Sequence, residues 1–291
     1  MSLPFKKLAI GGGGVKGILH MGALRELAKY QTLEFPDGVY GCSIGSIMAT
    51  CVSFGIPIDD KLIELTKKHL SSDKIIPNLS FKNITSGISE KGMFTMDLFR
   101  ENLYELFNEF QIDVTTKKIG DAKMPLYIIA SNITKGIPTI FTGDVLVIDA
   151  LCCSCCMPGV FKPQEIYDQL YIDGDLFVPN IGSLHKDALV LSLKTHLPLK
   201  ITPKTIGDIS IPEFIRQVFN MSVINHIEFH KTELTVELVY PKLLADSDLG
   251  DFDVSDIMKV SGELMREFLI SKGFLKELSE VLDTGSSDHL K

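Results

Sequence analysis

The stretch Gly41-Cys42-Ser43-Ile44-Gly45 constrains this chain more than any other. A serine with Gly two positions before it and two after it suits a turn so sharp that a Cβ at either place would strike the neighbouring strand or helix. Such a turn joins a strand to a helix and lifts the hydroxyl between them. The flanks agree, since Gly38-Val39-Tyr40 reads as a strand and the apolar run from Ser46 to Phe54 as a helix. A structural serine in a tight turn carries the same signature, so any chemistry needs partners elsewhere in the chain.

The first partner is a second glycine turn near the N-terminus. Lys7-Leu8-Ala9-Ile10 is a short apolar strand that runs into Gly11-Gly12-Gly13-Gly14-Val15-Lys16-Gly17, after which Ile18, Met21, Leu24 and Leu27 recur at helical spacing. Backbone N–H groups at the start of a helix, with the helix dipole behind them, stabilise a negative oxygen, whether of a phosphate or of an oxyanion. A Walker A loop is excluded because Ile18 follows Gly17 where Lys and Ser or Thr are required. Gly12, Gly14 and Gly17 do satisfy the dinucleotide fingerprint, so a Rossmann-type dinucleotide-binding protein is an alternative. That alternative needs an acid at the end of the second strand. Glu34 and Asp37 precede the strand that ends at Ser43.

At 291 residues, 45% of them apolar, the chain has enough material for a substantial core. Its net charge of -8 argues against a nucleic-acid binder and gives no overall attraction to anionic membrane. Met1 to Lys7 lacks the apolar core of a signal peptide, so the expected location is cytoplasmic and reducing, and the six cysteines are expected to be thiols. Val39 to Ile58 carries no charge, but its three glycines, one proline and three serines fit a buried turn and helix better than a membrane span.

Along the chain, Asp59 to His69 reads as a surface helix, and Ser71 to Gly92, with Ile75, Ile76, Leu79, Phe81 and Ile84, as an irregular flap over an apolar site. Thr95 is the expected N-cap of a helix with Leu98, Phe99, Leu103, Leu106, Phe107 and Phe110 on one stripe. Leu126 to Ala130 is a strand, with Pro138 to Thr142 as its hairpin partner or neighbour. Cys152-Cys153-Ser154-Cys155-Cys156 has no distant Cys or His pair at zinc-ligand spacing, so it reads as small wall residues on a helix. Tyr171-Ile172-Asp173-Gly174-Asp175 puts an acid at the end of an apolar strand, and Ala188 to Leu193 is a further strand. Thr195 to Ile211 reads as a junction. Beyond it come amphipathic helices at Pro212 to Lys231 and Asp253 to Lys272, the latter with Ile257, Val260, Leu264 and Phe268 inward. A strand lies within Thr232 to Tyr240, and Asp283 to Lys291 is a polar end expected to fray.

Glycine loop, Gly-x-Ser-x-Gly, Met157-Pro158-Gly159-Val160-Phe161-Lys162-Pro163 and Asp173-Gly174, which stands 130 residues after Ser43, occur in this order and resemble the patatin-like phospholipases. The resemblance runs from about Leu8 to Leu193. It implies a three-layer α/β/α sandwich with a mostly parallel central sheet as a catalytic core over residues 1–195; the amphipathic helices beyond it, outside the resemblance, read as a helical C-terminal extension, 196–291, packed on that core. It implies a lipid acyl hydrolase of phospholipase A type with Ser43 as nucleophile and Asp173 as base, with no histidine between them. Gly12, Gly13 and Gly14 are the implied oxyanion hole, worth about 3 kcal/mol per donor, and Lys16 a loop or substrate contact. No cofactor or metal is implied. The implied partner is a membrane phospholipid or another acyl-ester lipid met at a transient membrane contact, for which Ile75 to Ile84 is the candidate region. A catalytically silent lipid-binding scaffold would share these motifs. His185, His196, His226 and His230 are placed by order for a conventional triad. The chain departs from the family at Asp175, where Gly or Ala is usual and a second carboxylate would disfavour ionisation of Asp173, and at the cysteines of the wall, where Ala and Ser are common.

Overall fold

The computed structural model describes residues 5–76, 90–194, 201–209, 214, 217–218, 221, 231–240 and 253–276. Its frame is a mixed sheet. Strands β1 (Lys7–Ile10), β2 (Gly38–Cys42), β4 (Leu126–Asn132), β9 (Leu189–Leu193) and β10 (Thr235–Leu238) run parallel in the order β10-β9-β1-β2-β4, and β8 (Gln169–Asp173) and β7 (Gln164–Ile166) continue the sheet antiparallel. β5 (Ile137–Phe141) forms the expected antiparallel hairpin with β4. β3 (Gly92–Phe94) and β6 (Gly159–Phe161) pair separately.

Buried parallel strands need apolar residues on both faces, and these have them. Leu8, Ile10, Val39, Leu126, Ile128, Leu189 and Leu191 join one core cluster. That cluster also holds the buried apolar residues of α1 (Ile18–Leu27), α2 (Ile44–Phe54), α3 (Asp60–Leu70), α4 (Asp97–Asn108), α5 (Val147–Ser154) and α6 (Val254–Ser271). The alternate residues Ala9, Tyr40, Cys42, Ile129 and Val190 face a smaller cluster closed by Val178, Ile181 and Ala188. Among the described residues that second face is covered by the segment from Gly174 to Ala188 with its two 3₁₀ turns.

The hydrogen-bonding edges of β4 decide where the second motif lands. β5 takes one edge along Ile128–Asn132, while on the other β2 pairs with Leu126–Ile129 and β8 with Ala130–Asn132. β8 therefore occupies the edge that β2 vacates, and descends it antiparallel. Its last residue, Asp173, pairs with Ala130, one step beyond the Cys42–Ile129 pair. Gly174 fills the corner between the two strand ends, where a Cβ would stand 2.4 Å from the Ile129 carbonyl and 2.6 Å from the Cys42 sulfur.

Two local expectations need correction. Met96, not Thr95, stands at the cap position of α4, and the Thr95 hydroxyl donates to the Asp97 carboxylate instead of accepting a backbone N–H. On α6 the buried stripe is Ile257, Ser261, Met265 and Leu269, one position round from Val260, Leu264 and Phe268, which are half-buried. The cause is a close crossing with α1, where a Cβ on Gly22 would meet Ser261 Oγ at 1.9 Å, so small residues hold the seam. Leu79, Phe81 and Ile84 of the expected flap, most of the Pro212 to Lys231 helix and the last residues lie outside the described residues; Ile75 and Ile76 pack on the core.

Candidate active site

Ser43 opens α2 directly from the end of β2 with φ 50° and ψ -132°, a conformation an L-residue holds at a cost of about 1–3 kcal/mol. Both flanking glycines are required by space. A Cβ at Gly41 would stand 2.4 Å from Ser46 Cα, and one at Gly45 would stand 2.2 Å from the Ile10 carbonyl oxygen. The second contact also shows what α2 rests on, namely the end of β1 where the glycine loop begins.

Hydrogen bonds hold the turn open. The Ser43 N–H donates to Ser154 Oγ at 2.9 Å, Ser154 Oγ donates to the Ile129 carbonyl at 2.6 Å, and Ser46 Oγ donates to the Ser43 carbonyl at 2.6 Å. Free of these ties, the Ser43 hydroxyl donates to Asp173 Oδ2 at 2.6 Å. The other carboxylate oxygen, Asp173 Oδ1, accepts the Asp175 N–H at 3.0 Å. The Asp173 backbone is fixed as well, through its N–H to the Cys156 carbonyl and through Ser131 Oγ, which donates to its carbonyl. Ser154 and Ser131 support the site and carry no motif of their own. Their bonds go to backbone atoms and impose no sequence spacing.

The glycine loop comes alongside. Gly11 donates to the Leu191 carbonyl, Gly13 and Gly14 take φ values of 145° and 60°, and a 3₁₀ turn, Gly14–Gly17, leads into α1. A Cβ at Gly17 would stand 2.4 Å from Ile44 Cγ1, so the Ile44 side chain of the elbow helix packs directly on the loop backbone. Gly12 faces the carboxylate of Asp175. Lys16 is buried, which lowers its proton affinity to a pKa of about 8 against the opposing pull of Asp175.

Burial, and next the charge of Asp175, push the Asp173 carboxyl well above the usual carboxylate range, and burial raises Asp175 too. The wall cysteines are free thiols kept neutral by burial, with Cys152 and Cys156 pushed up to about 12. Among the described residues the grouping of donors close enough for an ion is Cys42, Asp173 and Asp175, within 4.8 Å of one another. Its thiol is raised well above its ordinary value by burial and next by the charge of Asp175, so the trio is a carboxylate pair beside a neutral thiol.

The histidines stand elsewhere. His185 packs over the Tyr40 ring at 4.2 Å with Lys7 and Asp187 nearby, at the strand ends opposite Ser43, and His196, His226 and His230 lie outside the described residues. Asp37 donates its N–H to the Lys6 carbonyl at the start of β2, at the wrong end of that strand to hold a ribose. No helix among the described residues is long and apolar enough to cross a membrane.

A buried hydroxyl in a strained turn, bonded to a buried carboxylate and flanked by a glycine loop at a helix start, is equipped for acyl transfer. Probable lipid hydrolase 463L of Invertebrate iridescent virus 6 is 27% identical over 185 residues, which are 60% of this chain and 60% of that protein. Triacylglycerol lipase 4 of Saccharomyces cerevisiae is 26% identical over 180 residues, 56% of this chain and 19% of the lipase. The chain thus spans less than two thirds of the length of these relatives. Among solved structures, VipD from Legionella pneumophila is similar over 93% of this chain and 68% of its own, at 14% identity and a TM-score of 0.49. ExoU in complex with SpcU from Pseudomonas aeruginosa is similar over 95% and 53%, at 17% identity and 0.45. The model of the patatin-like phospholipase family matches residues 8–180, and the chain belongs to that family.

Proposed function

We propose that the chain hydrolyses carboxylic esters of glycerophospholipids, with Ser43 as nucleophile and Asp173 as its base. The observation that carries this reading is the 2.6 Å bond from Ser43 Oγ to Asp173 Oδ2, made without a histidine between them. As Asp173 takes the hydroxyl proton, Ser43 Oγ bonds to the ester carbonyl carbon and the carbonyl oxygen becomes an oxyanion. Backbone N–H groups of the Gly12 to Gly14 loop receive that charge, each donor contributing about 3 kcal/mol. Collapse breaks the ester C–O bond and Asp173 returns the proton to the departing alcohol or lysolipid. Water then gives a proton to Asp173 and its oxygen to the acyl carbon, which frees the fatty acid and restores the Ser43 hydroxyl.

Two exposed apolar residues support an acyl-chain substrate. Met157 follows Cys156, whose carbonyl anchors Asp173, and Phe177 lies two residues beyond Asp175. They give a lipid apolar contact at the rim of the site.

The test is release of fatty acid from phosphatidylcholine in mixed micelles by the wild type, Ser43→Ala and Asp173→Asn. Both variants are expected to lose about 10³-fold or more in kcat. Activity in Asp173→Asn near the wild-type level would refute the assignment of the base. Vesicle binding with no fatty-acid release by the wild type would leave a silent lipid-binding scaffold.

A further inference from the structure

Asp175 is one of the two places where this chain departs from the family pattern, and its carboxylate reaches several parts of the site. Its carboxylate lies so close against Gly12 that a Cβ there would come within 1.8 Å of Oδ2. The Cys42 thiol lies within 4.8 Å of it, and the Lys16 charge acts on it from the glycine loop. Its own N–H donates to Asp173 Oδ1 at 3.0 Å. One side chain therefore ties the glycine loop, the end of β2 and the turn that bears Asp173.

We infer that Asp175 is a positioning residue for the reaction proposed above: it pins the glycine loop through Gly12 and, as a second negative charge beside Asp173, governs how readily that base gives up its proton. The inference rests on the Ser43–Asp173 reading. The groups that face the carboxylate pair are Ser43 and Cys42 at the end of β2, Cys155 and Cys156 beyond α5, and Lys16 on the loop. Burial keeps the thiols protonated, so the charges that act on Asp173 are those of Asp175 and, behind it, Lys16. A carboxylate held beside another in a buried site ionises later and is the stronger base once it has done so.

The two parts of the role separate by substitution. Asp175→Asn keeps the side chain packed against Gly12 and removes the charge, whereas Asp175→Ala removes both. The measurement is the rate of inactivation by a fluorophosphonate as a function of pH, with fatty-acid release from phosphatidylcholine beside it. The acid limb is expected to move down by about one pH unit in both variants. On the plateau Asn should retain about tenfold more rate than Ala. A limb that stays in place in Asp175→Asn overturns the charge role, and equal plateaus for Asn and Ala overturn the loop role. Should neither variant fold, the wild type still decides, because an acid limb near pH 4, the ordinary carboxylate range, contradicts the inference. A wild type that is never inactivated at Ser43 refutes the Ser–Asp reading itself, a result distinct from an unmoved limb.

Discussion

At the scale of single residues, the site is built from places where a side chain is forbidden and places where one bonds to backbone. The glycines of the elbow were legible because steric exclusion leaves a fixed spacing in sequence. Gly45 is the sharpest case, since a Cβ would strike the carbonyl oxygens of Ile10 and Gly11 at 2.2 and 2.5 Å, neither of which can swing aside. Gly45→Ala is expected to lower stability by about 3 kcal/mol or to prevent folding, read from the urea midpoint. Ser154 left no such trace, being one small residue among cysteines. Ser154→Ala would strip partners from the Ser43 N–H and the Ile129 carbonyl. It should cost about 1–3 kcal/mol and slow inactivation at Ser43 with the pH profile unmoved, which separates it from substitutions at Asp175. The place of Asp175 against Gly12 was equally hidden, because it depends on a contact between segments more than 160 residues apart.

At the scale of elements, alternation and helical spacing located the strands and most helices, while the partners across them had to come from the fold. That Asp173 ends a strand could be read from Tyr171-Ile172-Asp173. That the strand runs antiparallel, and so lowers Asp173 onto the vacated edge of β4, could not, because pairing partners are a property of the assembled sheet. The stripe of α6 was misplaced for a related reason. Hydrophobicity favours Leu264 and Phe268, yet close approach to α1 selects Ser261 and Gly262, which sit against Gly22 and Glu26. Gly22→Val should therefore cost more than an ordinary helix-surface change, about 2 kcal/mol or more. Met265→Ala, which empties a buried position on the same seam, should cost about 2–5 kcal/mol. A loss below about 0.5 kcal/mol in both, by chemical denaturation, would mean that α6 does not pack on α1 as described.

For the molecule as a whole, the same buried groups that equip the site shape stability against pH. Asp173 and Asp175 have raised proton affinities in the fold, so their contribution is full below the ordinary carboxylate range and is lost as pH rises through their folded values. His20 acts with the opposite sign. It is buried with neither ring nitrogen partnered, its pKa falls to about 3, and the stability it lends in neutral form is lost as pH drops from the ordinary histidine value toward that one. Thermal midpoints should thus peak at intermediate pH, with Asp175→Asn flattening the alkaline side and His20→Leu the acid side. A profile that only rises with pH would contradict the carboxylate assignment, and one that only falls would contradict the His20 assignment. The C-terminal segment adds β10 to the edge of β9 and lays α6 on α1, so a chain ended at Thr195 is expected to fail to fold. The central claim is that one hydroxyl, at position 43, does the chemistry with one carboxylate, at position 173. Fluorophosphonate labelling followed by peptide mapping tests it most directly. A single adduct on Ser43 in the wild type, none in Ser43→Ala and labelling slowed about 10³-fold in Asp173→Asn are the expected results. An adduct on another residue, or Asp173→Asn labelled at the wild-type rate, would contradict it.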